Sequence, residues 1–301
     1  MYFRRPLPDT LPRSFSVREA YANGISRSQL RNDAFQRPYH GARLAPGIDV
    51  TLIDRCVAFS RRVQRAEVFS HYTAATLHGM PLPERSEVGP LHVTCRQGFR
   101  ATKARGVVGH SAAFSPDDVV LLGGIWVTTV ERTWCDLAAL LSFENLVAAG
   151  DSLLWHKNPA TTKEALRDAV SRYPSQRGRL RMRAALHSLS DRSRSRPESI
   201  VRLALVASPL PDPEPNVEVH LKVSERRIEI DLAYPDFKVG LEYQGDHHRH
   251  DRRQWRKDIR RGNDAVDDDW SMVYFTGDDL QNLPDVIART ERRLRKRGWT
   301  G

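Results

Sequence analysis

The chain of 301 residues has little cysteine: Cys56, Cys95 and Cys135 lie far apart and in no metal-ligand spacing. An odd, scattered set excludes a disulfide framework and a cysteine zinc site, and fits reduced thiols in a cytoplasm. Long apolar runs are also missing. No stretch of 18 apolar residues occurs, so a membrane-spanning helix is not expected. The segment Met1 to Thr10 carries Arg4 and Arg5 but no apolar run of the kind a secretory signal needs. A cytoplasmic protein with no membrane partner is therefore expected. Internal repeats and long low-complexity tracts are absent, which argues against a repeat architecture. Aromatic residues are few, at 8%, yet with 40% hydrophobic residues they suffice for packed cores. The length exceeds what one core usually serves, so two or three domains are expected.

What the chain does have is positive charge: a net +10, mostly from arginine. Such a balance points to a polyanionic partner, chiefly nucleic acid, although a GC-rich genome also produces arginine-rich proteins.

The segment Phe15 to Pro46 has the spacing of a helix-turn-helix. Ser16 can cap a helix through Val17, Ala20 and Tyr21; Asn23-Gly24 supplies a turn; Ser26 can cap a second helix with Gln29 and Leu30. A second helix so placed can enter a DNA groove, and Arg37 to Leu44 can form a basic wing. Arg27, Arg31, Arg37 and Arg43 are the candidate phosphate contacts. An ordinary helical hairpin fits the same pattern. In the middle segment, His71 to His78 and Thr129 to Leu141 read as helices, Leu91 to Thr94 and Gly124 to Thr128 as strands. His71, Tyr72, His78 and Asp136 share no catalytic or ligand spacing and are assigned structural roles. Eight arginines and one acid between Arg172 and Arg196 read as a solvated linker.

Beyond Pro197 the pattern carries chemistry. A helix opening at Pro197 places Glu198 in its first turn. Arg227 to Tyr234 and Val239 to Gln244 alternate with period two and read as a hairpin around Pro235-Asp236. In this reading Ile228, Ile230 and Leu232 face one way, and Asp231 shares the other face with Glu242. Two carboxylates so placed repel unless a cation lies between them, and their oxygens suit magnesium. Glu198 can add a third oxygen, although Ser195 and Glu198 also fit a capping box. His247, His248 and His250 follow at once; one can act as general acid or base, or all can belong to a polar loop. Asp251 to Arg261 reads as a basic helix, with Arg253, Lys257 and Arg260 as phosphate contacts.

The run RPESIVRLAL … RIEIDLAYPDFKVGLEYQGDHH … DRRQWRKDIRR … WSMVYFTGDDL resembles the actinobacterial nuclease-like family related to very-short-patch-repair endonucleases, within the PD-(D/E)XK superfamily. The resemblance spans about residues 195 to 295. It implies a restriction-endonuclease-like three-layer α/β/α domain and a phosphodiesterase site using magnesium or manganese. The site residues it implies are Glu198, Asp231, Glu242 and Gln244, with His247 or His248 assisting. Gln244 departs from the usual lysine, and the acidic run Gly262 to Asp269 departs from the usual leucine-containing helix. Farther forward, FSVREAYANGISRSQLRND, RPYHGARLAPG, HYTAATLHGMPLP and VTTVERTWCDLA are similar to AbiEi-type antitoxins, which pair a winged helix with an α/β domain. The expected architecture is thus α/β and multidomain: a winged helix-turn-helix at 1–60, an AbiEi-like α/β domain at 61–190 and a nuclease domain at 191–301. The expected function is a metal-dependent DNA endonuclease in repair or defence against foreign DNA, without a small-molecule cofactor. The alternative is a non-enzymatic DNA-binding regulator, or an antitoxin whose partner is a protein toxin of nucleotidyltransferase type.

Overall fold

Serine caps start the first two helices where the sequence places them. The structure, a computed structural model, describes residues 12–31, 35–45, 49–61, 67–83, 89–245 and 252–301, without the side chains of 252–259. Helix α1 (Val17–Ala22) follows β1 (Ser14–Ser16), and α2 (Arg27–Leu30) follows the turn at Gly24. Ser16 with Glu19, and Ser26 with Gln29, form reciprocal capping boxes that satisfy the orphan amides of each first turn. Strand β2 (Ala42–Leu44) pairs antiparallel with β1, and Gln36 bridges Leu44, so the basic segment from Arg37 forms a turn between paired ends. Phe15, Ala20, Ile25, Leu30 and Phe35 make a small core beneath these elements.

The chain is α/β and divides into two compact units, residues 1–140 with 168–179, and 141–167 with 180–301. In the first, α3 (Leu52–Ser60) precedes β3 (Glu67–Phe69), α4 (His71–Leu77), β4 (Leu91–Arg96), β5 (Val107–Ala112), β6 (Val119–Leu122), β7 (Ile125–Thr128) and α5 (Val130–Leu137). The five strands form one mixed sheet in the order β5-β4-β3-β7-β6. Phe59 of α3 packs with Phe69, Leu91, Val93 and Val127 in its core.

The second unit contains α6 (Phe143–Leu154), α8 (Arg179–Ser188) and α9 (Arg196–Val206), with α7 (Lys163–Arg172) between the first two in sequence. Its sheet is built from β8 (Glu214–His220), β9 (Arg227–Tyr234), β10 (Val239–Tyr243) and β11 (Ser271–Phe275), ordered β11-β10-β9-β8, with α10 (Arg252–Asp267) and α11 (Leu283–Lys296). Val201 and Leu205 of α9 and Val286 and Leu294 of α11 pack with Leu232, Leu241 and Phe275. Ala265 of α10 packs with Ile228, Ile230, Ala233 and Met272. Helices therefore cover both sheet faces, the three-layer arrangement that a sheet apolar on both sides requires.

Two local expectations are corrected. The arginine-rich stretch is not a solvated linker, because α8 buries Met182, Ala185 and Leu186, and Ser193 is fully buried. Arg202 donates to Asp151 Oδ2 (2.9 Å), Ser193 Oγ (3.1 Å) and the Ser188 carbonyl (2.9 Å), and Ser190 N donates to Asp151 Oδ1 (2.8 Å). That buried pair fixes the stretch. Strand β9 also does not keep one alternation throughout. Ile228 and Ile230 join the core under α10, whereas Leu232 joins the core under α9 and α11. The switch falls at Asp231, beside Asn216 of β8, whose φ of +47° breaks the regular extended backbone.

Candidate functional site

The hairpin expected from the sequence sets the site. β9 and β10 pair antiparallel with Leu232 opposite Leu241, and one step further the same register sets Asp231 opposite Glu242. On the other side, β8 pairs Pro215 with Leu232 and Val217 with Ile230, which sets Asn216 beside Asp231. Glu242 is in turn level with Tyr274 on β11. By register Asn216, Asp231, Glu242 and Tyr274 fall in one row across four strands, although only Glu242 and Tyr274 are ladder partners: regular pairing ends at Leu232–Leu241 and skips Asn216.

Glu198 joins this row from α9. Ser195 caps that helix, its Oγ accepting from Glu198 N at 3.4 Å, but the reciprocal half of the capping box is not made. The Glu198 carboxylate turns away instead, and its Oε2 accepts from Arg194 N (3.1 Å) and Asn216 Nδ2 (3.0 Å). Asn216 also donates to the Arg192 carbonyl at 2.5 Å. It is buried, so its amide holds the glutamate in place rather than solvating it. Asp231 Oδ2 accepts from Tyr243 N at 2.8 Å. Glu242, also buried, accepts at Oε2 from Arg261 of α10 at 2.5 Å.

Burial and like charge act together on Asp231. Desolvation first, then the charges of Glu198 and Glu242, push its carboxyl up to about 7, against the Tyr243 amide and the Arg261 guanidinium. Glu198 and Glu242 thus both act on Asp231 through their charge, but the three carboxylates do not bring one oxygen each within 4.8 Å of the others. Gln244 lies just beyond β10, half-buried, with its backbone N–H on the Phe275 carbonyl at 2.7 Å. His247 and His248 lie outside the described residues. Arg253 and Lys257 lie on α10, with side chains outside the described set, and Arg260 is exposed.

The sequence reading missed Asn216 and Arg261 as members of the site. Arg261 was one of several helix arginines, and nothing in the sequence marks which one turns inward. Asn216 sits in a Pro-Asn-Val run with no strand signal. The acidic run after Gly262 is largely engaged: Asp264 pairs with Arg226, Asp268 accepts from the Lys222 and Val223 amides, and Asp269 pairs with Arg297. Gly262 itself permits close packing, since a Cβ there would stand 2.5 Å from the Tyr274 hydroxyl.

In the first unit Arg27, Arg31 and Arg37 are exposed and Arg43 is partly buried. Arg37 donates to the Arg31 carbonyl at 2.7 Å, and Arg43 to the Ala42 carbonyl at 2.8 Å. Burial, then the nearby Arg37 charge, lower the Arg43 guanidinium below its ordinary value. Asp136 and His78 do have structural roles: Asp136 accepts from Arg132 and Tyr173, and His78 Nε2 meets the Thr128 carbonyl at 2.7 Å. His71 does not stand alone, however. It meets His92 of β4 and His110 of β5, residues the sequence reading did not single out. Burial pushes His71 down to about 2 and His92 to about 4, each lowered further by His110, and burial also lowers His110.

No family model matches this sequence. Two uncharacterized proteins from Mycobacterium tuberculosis strains, MT2308 and Rv2248, are each 23% identical over 274 residues, covering 91% of this chain and 97% of theirs. Among solved structures, the RV2827C protein of Mycobacterium tuberculosis aligns with a TM-score of 0.39 at 16% identity, over 60% of this chain and 77% of that one. Among the described residues, no helix is long and apolar enough to cross a membrane.

Proposed function

We propose that the second unit is a restriction-endonuclease-like, divalent-metal-dependent phosphodiesterase acting on DNA, and that residues 12–45 act as a winged-helix DNA contact. The observation that carries the reading is the approach of Glu198, Asp231 and Glu242 from a helix and two adjacent strands, near enough for both glutamates to act on Asp231, although a shared ion would have to draw their oxygens closer. The donor set is all oxygen, which fits a hard cation such as magnesium or manganese. Asp231 and Glu242 would hold it, with Glu198 completing the shell. When bound, such an ion supplies charge stabilisation on phosphoryl oxygens and an activated water.

The chain's own residues have distinct tasks. Asn216 keeps Glu198 turned inward, and the Tyr243 amide fixes Asp231. Arg261 balances Glu242 within the protein. Gln244 can orient a water by donating and accepting but brings no positive charge to lower its pKa. Arg289 donates to the Tyr274 carbonyl at the end of the carboxylate row, and with Arg292, Arg293 and Lys296 it lines a groove along β11. Arg289 is itself paired with Asp279 and Asp285, so Arg292, Arg293 and Lys296 are the candidates to meet a phosphate backbone.

A second reading follows from the Arg261–Glu242 pair and from Gln244: the same platform binds DNA without cleaving it, as a regulator or antitoxin would. Incubation of the full chain with supercoiled, mismatched and single-stranded DNA separates the two. Nicking that needs magnesium or manganese and stops with EDTA supports the enzyme. Binding without nicking supports the regulator. Cleavage that persists in excess EDTA refutes the metal reading, and no DNA binding at low salt refutes both.

A further inference from the structure

In the first unit, β3 ends at Phe69 and the chain turns through Ser70 into α4, where His71 adopts a φ of +50°. That uncommon backbone brings the His71 ring to the sheet face carrying His92 and His110. β4 and β5 run parallel with Thr94 level with His110, so His92, two residues before Thr94, is on the same face. His92 Nδ1 and His110 Nε2 are 3.0 Å apart, and all three histidines offer a ring nitrogen within 4.8 Å of the others. Nothing in the carboxylate site uses them.

We propose that His71, His92 and His110 form a binding site for a transition metal of the zinc class. Imidazole nitrogens suit zinc, cobalt, nickel and copper and do not suit magnesium, so this site is chemically separate from the carboxylate cluster. A tetrahedral ion with nitrogens at about 2.0–2.1 Å holds them about 3.3 Å apart and ring centres about 5 Å apart. The His92–His110 pair already meets that spacing, with ring centroids 5.2 Å apart, and His71–His92 stands at 5.7 Å. His71 and His110 are stacked at 3.7 Å, so the ion must open this stack by moving the His71 ring outward. The proton shared between His92 Nδ1 and His110 Nε2 must shift to the far nitrogen of its ring, so that both become donors.

The surrounding groups fit a ligand shell. His71 Nδ1 meets Ser70 Oγ at 2.9 Å, which leaves Nε2 as its donor nitrogen. Ser70 Oγ accepts from buried Thr94 Oγ1 at 2.7 Å, so a second sheet residue fixes the hydroxyl that orients the ring. Such supporting bonds orient metal-bound histidines. Arg132, the cation nearest in effect to His71, is paired with Asp136 and Asp118, which balances its charge. Three imidazoles leave a tetrahedral ion one position for water or another ligand, as in reactive rather than purely structural sites.

The probe is cobalt added to the full chain stripped with chelator, read by the ligand-field absorption of nitrogen-bound cobalt and reversed by zinc. With magnesium in excess to occupy the carboxylate site, one equivalent of nitrogen-bound cobalt per chain is expected. His92→Gln and His110→Gln should each abolish the signal, and Ser70→Ala should weaken binding by roughly 10–100-fold. The His247 to His250 run is a competing source of adventitious binding, so His247→Ala/His248→Ala must retain the equivalent. A wild-type chain that takes up no stoichiometric cobalt overturns the proposal, whether or not the variants fold. Retention by His92→Gln/His110→Gln, or loss only in His247→Ala/His248→Ala, overturns it too.

Discussion

Replacing Asp231 by asparagine removes the charge that Glu198 and Glu242 oppose while keeping an oxygen for the Tyr243 amide. The carboxyl is raised from 3.8 to about 7, so the folded chain holds the proton more tightly than the unfolded chain. The stability this contributes is complete below the unfolded value and is lost as pH rises through about 7. At about 1.4 kcal/mol per unit, a shift of this size sets a ceiling of roughly 4 kcal/mol. Urea denaturation in EDTA at about pH 5 and about pH 8 should therefore show the wild type losing stability that Asp231→Asn keeps. Magnesium at about 100 times its dissociation constant should return about 2.7 kcal/mol to the wild type at the higher pH, and nothing to the variant. The opposite pattern refutes the reasoning: a variant less stable by about 0.5–3 kcal/mol at both pH values, with no magnesium effect on the wild type. In that case Asp231 serves only as an acceptor for the Tyr243 amide.

Asp151→Ala leaves the Arg202 guanidinium buried without its carboxylate, and melts should show a loss of about 3–5 kcal/mol; a loss under about 1 kcal/mol would show that the pair does not pin the stretch that ends at Arg196. Gly262→Ala places a methyl against the Tyr274 hydroxyl, so the substitution should be neutral or destabilising alone. In a Tyr274→Phe background the same change should stabilise by about 0.5–1 kcal/mol, the ordinary helix preference of alanine; an identical effect in both backgrounds would exclude the steric account. DNA affinity of the full chain should fall steeply with salt, and each of Arg27→Ala, Arg31→Ala and Arg37→Ala should reduce the log–log slope by roughly 0.9. Unchanged slopes in all three would remove these residues as phosphate contacts.

Local signals were legible without the fold. Ser16 and Ser26 start helices because a serine three residues before a glutamate or glutamine satisfies first-turn amides by itself. The period-two runs around Pro235-Asp236 fix the β9–β10 hairpin, and a hairpin register brings Asp231 level with Glu242. Arg172 to Arg196 misled because its composition is that of a solvated chain, yet Arg202, outside the stretch, anchors it to Asp151 of α6. The switch of faces at Asp231 was equally hidden: it falls beside a positive φ at Asn216 of the neighbouring strand, which no residue pattern marks. Only the tertiary structure chose Arg261 among the cations of its helix, because that choice is set by where α10 crosses Glu242. Likewise only the parallel pairing of β4 with β5 and the turn after β3 unite His71, His92 and His110. Residues 21 and 18 apart on separate elements have no spacing rule in sequence, and their proximity comes from strand order, which non-local packing determines.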